Sequence, residues 1–123
     1  MVTALMIPPG EHPCPTLLCD DGNYLNHAVS IGADTCYTAK ADRVEDGVAV
    51  LYGYEADMLD GTGNRRINGC IYAGTIYIVG YRDGKLISLS DKTLARYAVM
   101  LWHPEHYTEE ELLQSALFWD WKD

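Results

Sequence analysis

Three observations on this chain predict an α+β fold, with a mostly antiparallel sheet and C-terminal helices packed on it. Short β-rich runs separated by Gly, Asp and Pro fill the first two thirds. Two of these runs meet at Asp83-Gly84, a step suited to the positive-φ positions of a tight hairpin. The last third changes to apolar spacings of three and four, first behind Ser90 and again behind Thr108. With 123 residues, 48% of them apolar, the chain reads as one domain over residues 1–123. A domain of that size buries about 65% of its unfolded surface and needs no metal or disulfide to fold.

Each element follows from its residues. Val2 to Ile7 is a β-branched apolar run stopped by Pro8-Pro9-Gly10, hence a first strand. Thr16 to Cys19 is a second, short one. Asp20-Asp21-Gly22-Asn23 can cap a helix from Tyr24 to Ile31, with Gly32 as its stop. Thr35 to Arg43 and Val48 to Tyr54 form a hairpin around Glu45-Asp46-Gly47. Glu55 to Gly63 lacks periodicity and reads as a loop. Ile71 to Tyr81 is a strand apolar on both faces, so both should be covered, and Gly74 is a candidate break. Lys85 to Leu89 returns from the Asp83-Gly84 turn. A helix capped by Ser90 places Leu94, Tyr97, Ala98, Leu101 and Trp102 on one side, with Leu94, Leu101 and Ile78 expected to be nearly inaccessible. His103-Pro104 ends it. Thr108 with Glu111 is a capping box for a last helix through Leu112, Leu113, Ala116, Leu117 and Trp119.

Asn64-Arg65-Arg66-Ile67, the run Ile71 to Gly80, the stretch Leu86 to Tyr97 and His103-Pro104-Glu105-His106-Tyr107 together resemble a small family of domains of unknown function, number thirty-eight forty-six of that series. The opening Ala4 to Gly10 matches more loosely. The family occurs in bacteriophages and other mobile elements, often near anti-restriction genes. The resemblance implies that biological setting and carries no chemistry of its own.

Charge narrows the partners. With 18 acidic residues against 9 basic ones the net charge is −9, which repels nucleic acid, because affinity for phosphates draws on Lys and Arg. A basic protein surface or a locally held small molecule fits better, and plain solubility also accounts for such a charge. No stretch reaches the roughly 20 apolar residues of a membrane span, and the first residues lack a basic secretion signal. A bacterial cytoplasm is therefore expected, with Cys14, Cys19, Cys36 and Cys70 reduced. His12, Cys14 and Cys19 lack the spacing of a zinc clip, and neither a metal nor another cofactor is expected.

Three groups are candidate sites. Asn64, Arg65 and Arg66, behind Gly61 and Gly63, could hold a phosphate with forked donors; the plainer reading is a loop whose arginines pair with Asp57 or Asp60. Alternation along the strand they enter predicts unequal roles, one arginine turned inward to a carboxylate and the other to solvent or ligand. Glu55, Asp57 and Asp60, with Glu109 and Glu110, could meet a basic protein surface. Helix electrostatics accounts for Glu109 to Glu111 at a helix start, so the loop group is the sharper candidate. Trp119 and Trp121 either dock on the sheet or join two copies in a homodimer. Pro104 separates His103 from His106, and nothing places His27 beside Cys36 or Cys70, so no catalytic residue is assigned. The leading expectation is a non-enzymatic anti-defence protein, of anti-CRISPR or anti-restriction type, that blocks a host nucleic-acid-handling protein. A sponge for a signalling nucleotide, using Asn64, Arg65 and Arg66, and a structural or host-regulatory domain are the alternatives.

Overall fold

The computed structural model describes residues 1–18, 28–30, 36–53, 63–83 and 85–122; side chains of 28–30, 36–40, 53 and 116–122 lie outside the description. Its elements are β1 (Val2–Ile7), β2 (Cys14–Leu18), β3 (Ala28–Ser30), β4 (Cys36–Glu45), β5 (Val48–Gly53), β6 (Gly63–Ile67), β7 (Cys70–Ala73), β8 (Ile76–Arg82), β9 (Lys85–Ile87), α1 (Asp91–Met100) and α2 (Glu109–Lys122). The fold is α+β, with antiparallel pairing throughout the described strands and both helices packed at the C-terminal end.

A seven-stranded sheet runs β2-β1-β8-β5-β4-β3, with β9 beside the far half of β8. Strand β8 is its centre, paired with β1 through Leu5↔Ile78 and with β5 through Val50↔Ile78. Ile76, Tyr77, Ile78 and Val79 are all buried, so β8 is covered on both faces as its sequence predicts. One face carries Leu5, Ile7, Val50 and Ile78 under β7, Tyr97, Leu101 and Leu112; the other carries Ala4, Ala49, Leu51, Tyr77 and Val79. Each such buried Ile, Leu or Val contributes roughly 1.5–3 kcal/mol.

The remaining pair, β6-β7, forms its own two-stranded sheet. Its connection is Asn68-Gly69, with φ of 51° and 83°, a two-residue turn whose twist suits paired strands. The run Ile71 to Tyr81 is therefore two strands in two sheets, divided at Gly74 (φ 71°). Tyr72 and its neighbours on β7 pack beneath α2, where Ser115 Oγ accepts the Ile71 N–H at 2.9 Å.

Several expectations need correction. Ala28–Ser30 is a strand paired with β4, not the end of a helix from Tyr24; a partner edge outweighs the weak local helix preference of Ala-Val-Ser. The rest of that segment lies outside the described residues. Leu94 is half-buried and Trp102 is 45% exposed, because α1 stops at Met100 and its covered side narrows to Tyr97 and Leu101. Strand β2 begins at Cys14 and β9 ends at Ile87.

Candidate functional site

Strand β6 departs from simple alternation. The pairing register with β7 shifts between Gly63 and Arg65, a bulge that places Asn64 off the ladder. A bulge re-aims the side chains beside it. Asn64 and Arg65 consequently both turn inward, each with no exposed surface, and alternation resumes with Arg66 outside and Ile67 inside.

The two inward side chains are spent on the backbone. Asn64 Nδ2 donates to Ile7 O at 2.7 Å and to Gly74 O at 2.8 Å, tying the end of β1 to the start of β8. Arg65 Nε donates to Leu101 O at 3.0 Å, the residue that closes α1, and one Nη donates to Glu11 O at 2.7 Å. Its other Nη reaches Asn64 Oδ1 at 2.8 Å. Arg65 thus points inward as the strand pattern predicts, but to neutral carbonyls and not to a carboxylate. Burial lowers its affinity for the proton, and the negative field of Glu105 opposes that shift. Of the three residues proposed for a ligand, only Arg66 presents its guanidinium at the surface, 5.6 Å from the centre of the Tyr107 ring.

Carboxylates along the same side have structural partners. Asp42 accepts from Tyr72 Oη at 2.9 Å, Glu45 from Tyr97 Oη at 2.7 Å and also from Arg96, and Glu105 from the Tyr107 hydroxyl and the Arg66 N–H. Burial, then the neighbouring carboxylate, raises the Tyr72 phenol well above the ordinary range. The same causes in the same order push Tyr97 and Tyr107 up to about 12. The Tyr97 hydroxyl first, and Arg96 second, hold Glu45 below its ordinary value. Glu111 is lowered by its bonds to Thr108, of which the backbone N–H is the larger.

Glu109 and Glu110 are exposed in the first turn of α2, and their carboxylates, like those of Glu11, Asp83 and Asp91, have no side-chain partner among the described residues. Glu55, Asp57 and Asp60 lie outside the described residues, and so do the side chains of Trp119 and Trp121. His27 and Cys19 are outside as well, as is the side chain of Cys36. Cys14 is exposed and Cys70 buried, and among the described residues no three metal-binding side chains gather. Among the described residues no helix is long and apolar enough to cross a membrane.

One feature was missed from sequence. His12 and Trp102 stack with ring centres 4.2 Å apart and planes 12° from parallel. No local pattern links two residues so far apart in the chain. Scans against family models and searches of curated proteins and solved structures find no match to this chain.

Proposed function

We propose that this chain is a non-catalytic anti-defence protein of phage or mobile-element origin. In this reading it binds and inhibits a host nucleic-acid-handling protein by laying carboxylates on its basic surface. The observation that carries the reading is the charge balance. Nine basic residues already face 18 acidic ones, and Arg65 is withdrawn into the core, leaving at most eight to offset them at the surface. Among the described residues nothing pairs with Glu109 and Glu110, as a surface meant for external cations requires. A nucleotide sponge is less favoured, since Asn64 and Arg65 use their donors on backbone carbonyls.

The test is protection of incoming DNA in hosts carrying a restriction or CRISPR system, paired with binding of the purified defence protein across a salt series. Protection should require the chain, and affinity should fall as salt rises. Charge reversal at Glu55, Asp57 and Asp60, or at Glu109 and Glu110, should abolish protection with the fold retained. Undiminished protection by both reversed variants would remove the acidic surface from the mechanism.

A further inference from the structure

Val99, Met100 and Trp102 place three large apolar side chains at 78%, 59% and 45% exposure within four residues. Single exposed apolar residues are ordinary, whereas a cluster of them marks a contact surface. Trp102 is also held in place without filling interior space. Its ring lies flat on the exposed His12, whose Nδ1 is 2.7 Å from Trp102 O. Arg65 binds the carbonyls of Glu11 and Leu101, the residues immediately before His12 and Trp102. A single core guanidinium therefore ties together the two backbone segments that present the stack. An aromatic fixed before contact loses little side-chain freedom on binding, which is the property of an interface anchor.

We propose that the His12–Trp102 stack, with Val99 and Met100, is the apolar anchor by which this chain docks on a protein partner with a cationic surface around an apolar recess. This rests on the acidic-surface reading above and adds a position and a chemistry to it. Charge selects the occupant. A second copy brings the same −9 and is repelled. The exposed carboxylate of Glu11, without a side-chain partner among the described residues, adjoins the stack, while Arg96, one turn before Val99 and Met100, is engaged by Glu45. The patch is thus apolar area beside an unpaired carboxylate, on a chain whose net charge is −9.

Titration calorimetry of the full chain with two peptides of equal positive charge tests this. One is an amphipathic lysine-leucine helix former, the other an oligolysine. The amphipathic peptide should bind about tenfold or more tightly than oligolysine. Trp102→Ala should erase that difference and leave oligolysine binding and the thermal midpoint unchanged. Val99→Ser, at a largely exposed position, gives a second variant that should narrow the difference if Trp102→Ala proves unstable. Equal binding of the two peptides, or a difference that survives both substitutions, overturns the anchor while leaving the acidic surface standing. Failure of both peptides to bind at low salt overturns both. Concentration-dependent dimerisation, lost in Trp102→Ala, would assign the patch to a second copy and overturn the proposal as stated.

Discussion

Arg65 is a charge with no exposed surface and no carboxylate in contact, an arrangement that costs several kcal/mol of desolvation unless its donors are used. They are used where the fold most lacks donors. Leu101 O belongs to the last turn of α1, where carbonyls have no helical partner and the helix dipole is negative. Asn64 does the same for Ile7 O and Gly74 O. Arg65→Ala should therefore destabilise by about 2–4 kcal/mol, since each carbonyl left buried and unsatisfied costs roughly 1–3. Arg65→Lys should recover little, because one ammonium cannot span the same fork of acceptors. Arg66→Ala removes only a surface contact with Tyr107 and should stay within about 1 kcal/mol. Urea unfolding of the three variants separates the cases, and equal losses for Arg65→Ala and Arg66→Ala would contradict the division of roles.

At the scale of elements, local signals with their own chemistry were legible. Ser90 caps α1 by accepting the Thr93 N–H, and Thr108 and Glu111 satisfy each other's N–H groups at 3.1 and 3.0 Å. Thr108→Ala should cost about 1 kcal/mol in the same unfolding assay. The turn at Asp46-Gly47 and that at Asp83 were also readable, because positive φ restricts the residues allowed there. Asn68-Gly69 carries an equally strong turn signal, and it joins β6 and β7 as a hairpin. What no local pattern encodes is the bulge at Asn64. The Asn-Arg step stood out by composition, but only the shifted register turns it from a ligand loop into an internal tie. Gly80 shows a similar dependence on a distant strand. A Cβ there would lie 2.5 Å from Ile87 O, a backbone atom that cannot swing aside. Gly80→Ala should disrupt the β8-β9 pairing at a cost of about 1–3 kcal/mol. Faster hydrogen exchange at the β9 amides would report it, and unchanged exchange would place β9 elsewhere.

For the molecule as a whole, titration and net charge set the conditions of stability. Glu45 and Glu111 have folded-state pKa values below their ordinary 4.5, so their contribution is complete above that pH and declines as pH falls through the lowered values. Tyr97 and Tyr107 are displaced upward, so theirs is complete below about 10 and lost as pH rises toward about 12. Stability should fall at both ends, and Glu45→Gln should flatten the acid side. Between these limits the charge of −9 opposes compaction. The ion pairs Arg43–Asp46, Arg82–Asp46 and Arg96–Glu45 are solvent-exposed, and such pairs contribute only about 0–1 kcal/mol each. Repulsion among unpaired carboxylates should therefore outweigh them. Raising sodium chloride from about 10 mM to 150 mM shortens the Debye length from roughly 30 to 8 Å and screens both. The thermal midpoint should rise over that range. Chloride is the appropriate salt, because sulfate would strengthen apolar burial by exclusion and raise the midpoint for a different reason. A midpoint that falls with added chloride would mean that attractive pairs dominate the surface. The carboxylates would then be internally neutralised, and little negative field would remain for a basic partner.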